Sequence, residues 1–141
     1  MILKVKGLKE TQKLANDFAA SLNGGEVVLL NGDLGAGKTT FTQFVFKALG
    51  VKEVVSSPTF AILKSYEGKF KLHHFDTYRI STEEAIESGF DEIFQEEDSV
   101  IFVEWSENIA SLLPNETISV NIRRISENER EFEILRWNNY W

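Results

Sequence analysis

Gly32-Asp33-Leu34-Gly35-Ala36-Gly37-Lys38-Thr39 is the most informative stretch of this amino-acid sequence. It follows Val27-Val28-Leu29-Leu30, a continuous apolar run of the kind carried by a strand buried on both faces. It precedes a helical pattern that runs to about Leu49 and is stopped by Gly50. Glycine, four residues, then Gly-Lys-Ser/Thr is the pattern of a phosphate loop. The glycines let backbone N–H groups turn inward around phosphate oxygens. The start of the following helix adds its positive dipole end. In that frame Lys38 contacts the β and γ phosphates, and the Thr39 hydroxyl ligates Mg²⁺. Average residue usage produces such a match in a chain of this length well under ~1% of the time. Here it also lies between a strand and a helix, the context the motif needs.

Before that strand, Met1–Lys6 alternates like a strand of its own, and Gly7 opens a helix as its N-cap with Glu10 at the capping-box position. Leu14, Phe18 and Leu22 recur at helical spacing, and Asn23-Gly24-Gly25 ends that helix. Residues 60–66 and 70–75 form strand-like runs joined through Glu67-Gly68, a hairpin. The acidic stretch Thr82–Gln95 is helical in pattern and split by Gly89. Val100–Val103 is a second buried-strand run that ends at Glu104. Ile109–Leu113 reads as a short helix before Pro114. Residues 117–123 and 131–137 read as a final hairpin turning at Glu127-Asn128-Glu129. Strands alternating with helices, then hairpins, predict one α/β phosphate-loop domain over residues 1–141. Its sheet has a parallel centre and antiparallel hairpin additions.

The 141 residues carry 15 Lys plus Arg, 22 Asp plus Glu, a net charge of −7 and no cysteine. No disulfide framework, Cys-ligated zinc or thiol nucleophile is therefore available. The acidic balance argues against broad electrostatic binding of nucleic acid. No apolar run approaches the roughly 20 residues that span a bilayer, and the first residues lack a signal-peptide core. The expected location is cytoplasmic, with no membrane partner.

A phosphate-loop site takes a further protein oxygen near Mg²⁺ from an acid at the end of a buried strand. Glu104 and Asp76 are the two candidates. Position favours Glu104 as the metal-side carboxylate, because its strand is the more apolar. Asp76 is then a second acid near the site, able to orient water or to hold Mg²⁺ through water. Asp33, inside the loop, has a short side chain suited to holding the turn. His73 and His74 face opposite ways on a regular strand, and packing explains both better than metal ligation. Trp105 either fills core or shields the site. Trp137, Tyr140 and Trp141 either pack on the domain or meet a partner.

No Asn-Lys-x-Asp guanine-reading segment occurs. Of the five arginines only Arg79 lies mid-chain, so the arginine-rich lid of a small-molecule kinase is missing. Arg79 either stabilises charge on a γ-phosphate or pairs within the acidic segment that follows. The residues reach a small Mg-dependent ATPase or an ATP-dependent switch. The alternatives are a small phosphate-loop kinase and a nucleotide-dependent binding module.

Four motifs occur in order: Gly32-Asp33-Leu34-Gly35-Ala36-Gly37-Lys38-Thr39-Thr40-Phe41, Ser57-Pro58-Thr59-Phe60, His74-Phe75-Asp76-Thr77-Tyr78-Arg79 and Val103-Glu104-Trp105. Together they resemble the TsaE (YjeE) family of phosphate-loop ATPases in bacterial tRNA threonylcarbamoyladenosine synthesis. The resemblance implies a single α/β domain with weak ATPase activity that rises when the TsaB–TsaD pair binds. It implies that TsaD performs the transfer, so tRNA is met only indirectly through the complex. ATP and Mg²⁺ are the implied cofactors. Asp33, Leu34, Gly35, Ala36, Gly37, Lys38, Thr39 and Thr40 would line the phosphates, and Glu104 would join Thr39 on Mg²⁺. Asp76 resembles the family's essential acid, and Trp105 its tryptophan beside the nucleotide. Thr59 would face the phosphates, and Thr11 would lie near the adenine. Gln43 departs from the pattern, standing where many members have arginine.

Overall fold

The computed structural model describes residues 1–58 and 61–136. In chain order the elements are β1 (Ile2–Lys6), α1 (Gly7–Ser21), β2 (Val27–Asn31), α2 (Lys38–Ala48), β3 (Leu63–Glu67) and β4 (Lys71–Asp76). Then follow α3 (Thr82–Glu87), α4 (Phe90–Ile93), β5 (Ser99–Glu104), a 3₁₀ segment (Ser106–Leu112), β6 (Ile118–Arg124) and β7 (Glu129–Arg136).

The strands form one sheet in the order β1-β7-β6-β2-β5-β4-β3. β2 pairs in parallel with both β5 and β6, and β4 pairs in parallel with β5. The β1–β7, β6–β7 and β3–β4 pairs are antiparallel. The parallel centre and antiparallel edges are those expected from the pattern of runs.

Every residue of β5 is buried, and its side chains alternate between two cores. Val100 and Phe102 face α1 and α2, with Phe18, Phe41 and Phe46. Ile101 and Val103 face the other side, with Phe75, Ile80, Phe94 and Ile109. That is why the run reads as continuously apolar: both faces are covered and no polar alternation is tolerated. Phe102 is fully buried, with ring centroids 5.1 Å from Phe46 and 6.4 Å from Phe18. It joins both helices to the sheet.

Several boundaries differ from the sequence reading. β3 begins at Leu63 rather than at residue 60, because Ile62 has φ +68° and its N–H bonds the Pro58 carbonyl in a turn. Ser106–Leu112 is a 3₁₀ segment that starts earlier than the short helix expected from Ile109. The last hairpin turns over residues 125–128, with Glu129 already in β7, where its carbonyl accepts from Ile125 N–H. Gly7 has φ +77° and its N–H goes to the Asn128 carbonyl, so Glu10 closes the helix start on Lys6 N–H instead, at 3.0 Å. Gly89, with φ +78°, separates α3 from α4 as the pattern implied.

Gly68 is required where the β3–β4 hairpin meets the end of α2. A Cβ there would lie 2.5 Å from the Leu49 carbonyl oxygen, which accepts from Lys69 N–H.

Truncating Phe102→Ala removes the ring common to both helices and should cost about 3–5 kcal/mol. Urea unfolding followed by circular dichroism measures it; a loss under about 1 kcal/mol would show that the neighbouring rings close the cavity.

Candidate functional site

The carboxyl ends of β2, β5 and β4 lie on one edge of the sheet, where open parallel sheets bind ligands. β2 runs into the Gly32–Gly37 loop, and α2 leaves it with Lys38 as its first residue. Gly35 and Gly37 have φ of +81° and +109°, a region that L side chains rarely enter. Gly32 serves a closer approach: a Cβ there would meet the Ile122 carbonyl oxygen at 2.6 Å. Ala36 N–H donates to the Asp33 carbonyl across the loop. The turn is therefore held by the Asp33 backbone rather than by its side chain, which is exposed.

The cap residue of α2 is Gly37, which has no side chain to offer the helix start. Phe41 N–H already donates to the Gly37 carbonyl. The amides of Lys38, Thr39 and Thr40 precede the first intrahelical bond and point at the loop. A helix that starts on glycine in this way is a ready anion site.

Glu104 is the last residue of β5 and sits opposite Leu30 of β2 and Asp76 of β4. Its Oε1 lies 3.7 Å from Lys38 Nζ, with both side chains buried. Its Oε2 accepts from His74 Nε2 at 2.7 Å. Lys38 Nζ also stands 4.6 Å over the Trp105 ring. Trp105 holds a left-handed backbone, φ +61°, which is uncommon and costly for so bulky a residue. The Thr77 hydroxyl fixes this bend by donating to the Glu104 and Trp105 carbonyls, and Asn108 Nδ2 holds the Thr77 and Tyr78 carbonyls in turn. Asp76 is buried, and its Oδ1 accepts from Tyr78 N–H at 3.1 Å.

Among the described residues, clefts open on either side of Lys38 and Gly37. One, about 180 Å³, is lined by Gly32, Asp33, Lys38, Trp105 and Glu107. The other, about 130 Å³, is lined by Thr11, Ala36, Gly37, Thr40, Asn128 and Arg130. Thr11 is thus beside the loop, its hydroxyl donating to the Gly7 carbonyl.

Lys38, Glu104 and Trp105 come together, Asp76 lies on the adjoining strand end, and Leu34 is at the exposed tip of the loop. Arg79 is exposed, three residues beyond Asp76. Gln43 Nε2 donates to the Val55 carbonyl at 2.7 Å, so this position ties α2 to the following segment without charge. Thr59, Trp137, Tyr140 and Trp141 lie outside the described residues.

Two contributors escaped the sequence reading. His74, which the sequence pattern explains by packing, does pack edge-on to Phe46, but it also binds Glu104. The signal was available, because His74 and Asp76 are two residues apart and share one face of the strand. Arg130 lies far away in sequence, yet its Nε donates to the Ala36 carbonyl of the loop and its Nη1 to the Ser126 and Glu129 carbonyls. No local pattern announces that contact. His73, on the other face, bonds the Ser65 hydroxyl through Nδ1 and the Glu96 carboxylate through Nε2, so polar partners hold it as well as packing.

The donor set near the loop is hard oxygen: the Thr39 hydroxyl and the Glu104 carboxylate. Among the described residues no group of three or more His, Asp or Glu is arranged to hold a metal by itself. That combination fits Mg²⁺, which keeps its waters and takes one or two carboxylates together with phosphate oxygens. It does not fit an all-protein metal cage.

The family model described as "Threonylcarbamoyl adenosine biosynthesis protein TsaE" matches residues 5–132. The chain is 43% identical over 124 residues to the tRNA threonylcarbamoyladenosine biosynthesis protein TsaE of Bacillus subtilis (strain 168), covering 87% of this chain and 77% of that protein. The protein of the same name from Treponema pallidum (strain Nichols) is 34% identical over 132 residues, covering 92% and 96%. The crystal structure of Bacillus subtilis YdiB superposes with a TM-score of 0.83 at 36% identity, covering 99% of this chain and 88% of that one.

Gly32→Ala should push the loop off the Ile122 carbonyl and destabilise the fold by about 1–3 kcal/mol. Urea unfolding measures the loss; unchanged stability would mean that the loop absorbs the methyl group.

Proposed function

The chain belongs to the TsaE family of threonylcarbamoyl adenosine biosynthesis, and from that premise we propose that it binds ATP with Mg²⁺ and hydrolyses it slowly. In this reading it is an accessory of the TsaB–TsaD pair in tRNA N6-threonylcarbamoyladenosine synthesis and acts in the cytoplasm. The observation that carries the reading is the convergence of Lys38 and Glu104 beside a glycine-capped helix start.

The loop and the amides of Lys38, Thr39 and Thr40 bind the phosphate oxygens. Lys38 leaves Glu104 for the β and γ phosphates, drawn by their greater charge. Thr39 and Glu104 would hold Mg²⁺, which would neutralise charge on the phosphates. Asp76, on the adjoining strand end, orients water on the γ side or meets Mg²⁺ through water. Trp105 covers the lysine and excludes solvent, strengthening its electrostatic pull. Thr11 faces the nucleoside in the cleft it shares with Thr40 and Arg130. Asp33, Leu34, Gly35, Ala36 and Gly37 supply the cradle.

The net charge of −7 supports a division of labour in which the partners hold the tRNA. No helix among the described residues is long and apolar enough to cross a membrane. Hydrolysis would then serve repeated turnover by the complex, while TsaD performs the transfer.

The test is ATP hydrolysis by the purified chain, alone and with TsaB–TsaD and tRNA. Slow turnover that rises with the partners is expected, and Glu104→Ala should lower it by about 10²-fold or more. A chain that binds ATP but cannot hydrolyse it should fail to restore the modified nucleoside in cells lacking the native protein. Restoration would instead favour a nucleotide-dependent binding module. A phosphorylated small molecule in place of free phosphate would favour a kinase.

A further inference from the structure

His74 has no exposed surface, yet only one of its two ring nitrogens is satisfied. Nε2 meets Glu104 Oε2 at 2.7 Å, while Nδ1 is buried without a hydrogen-bond partner among the described residues. A carboxylate only accepts, so Nε2 is the donor. For packing alone an apolar ring would serve this site better, because it would bury no unpaired nitrogen. The imidazole is also held rigidly. Its strand pairs on both sides, opposite Lys64 and opposite Phe102, and Phe46 packs edge-on at 6.1 Å.

The two oxygens of Glu104 are divided between unequal partners. Oε2 has a short bond to a locked ring. Oε1 has a 3.7 Å ion pair to Lys38, a long side chain with many rotamers. If Lys38 turns to phosphate, a buried carboxylate loses its cation and would be expensive to leave unpaired. The oxygen that Lys38 releases is then the one free for another cation. The oxygen still held by His74 prevents the carboxylate from rotating away.

From this division we propose that His74 is a positioning residue: it holds Glu104 on the α2 side of the sheet, so that the oxygen vacated by Lys38 is presented to the nucleotide-bound divalent cation. The inference rests on the reading of Glu104 as the metal-side carboxylate. Groups that orient ligating carboxylates are commonly worth 10–100-fold in metal affinity. His74 should act on the cation and not on the nucleotide itself, because its ring is separated from the loop by Glu104 and Lys38.

The experiment measures Mn²⁺ binding to the ADP complex of the full chain, from the paramagnetic resonance signal of free Mn²⁺. Metal-free ADP affinity and the melting temperature are followed alongside. His74→Phe keeps the ring volume and removes the donor; it should weaken Mn²⁺ by about tenfold or more and leave metal-free ADP affinity within about twofold. His74→Gln, whose amide reaches the ε position, should stay within about threefold of the parent for Mn²⁺. His74→Asn stops short of that position and should reproduce the loss, which keeps the test decisive where the Phe variant does not fold.

Unchanged Mn²⁺ affinity in the Phe and Asn variants, beside a loss in Glu104→Gln, overturns the role of His74 and leaves that of Glu104 standing. A Gln variant as weak as Asn also overturns it, as does an equal loss of metal-free ADP affinity in the Phe variant. If Glu104→Gln binds Mn²⁺ like the parent, both readings fall.

Discussion

The parallel pairing of β2 with β5, in the register that sets Leu30 opposite Glu104, is the constraint on which the site depends. Parallel strands end on the same side of a sheet, so the strand feeding the phosphate loop and the strand ending in the acid deliver both to one edge. β4 adds Asp76 opposite Glu104 by the same rule. A slip of one residue would turn Glu104 toward the face lined by Val103 and Ile101 and carry it away from Lys38. The buried alternation of β5 resists that slip, because Phe102 fits only on the side of Phe46 and Phe18.

That register produces a cluster which stability alone would not select. Lys38, Glu104 and His74 are all buried, and burying charge is costly even when it is paired. Trp105 adds a left-handed backbone beside them. Strain and buried charge of this kind persist when the surroundings over-determine them, and here Thr77, Asn108 and Phe46 do so. The arrangement keeps a buried lysine and a buried carboxylate 3.7 Å apart on the edge of the sheet.

The C-terminal hairpin completes the site from the far end of the chain. Gly7 N–H bonds Asn128, and Arg130 bonds Ala36, so the turn at 125–128 joins α1 to the phosphate loop. Thr11 thereby faces Thr40 across a cleft that neither helix would form alone. Gly32 belongs to the same closure, because the β6 backbone at Ile122 leaves no room there for a side chain.

The α/β class, the loop and the strand that feeds it are all legible in the amino-acid sequence. These are local: glycine spacing, one lysine and one threonine carry the phosphate geometry, and a strand buried on both faces writes an unbroken apolar run such as Val100–Val103. It also nominated Glu104 and Asp76, since a strand-end acid is visible as a break in such a run. Boundaries slipped where tertiary bonds redirected the backbone, as at Ile62, whose N–H is taken by Pro58, and at Ser106, where Trp105 bends the chain. That Glu104 rather than Asp76 meets Lys38, that His74 shares its carboxylate and that Arg130 reaches Ala36 follow from the assembled fold alone. Those contacts span 30 residues or more, and sheet register and hairpin docking set them, neither of which leaves a pattern in neighbouring residues.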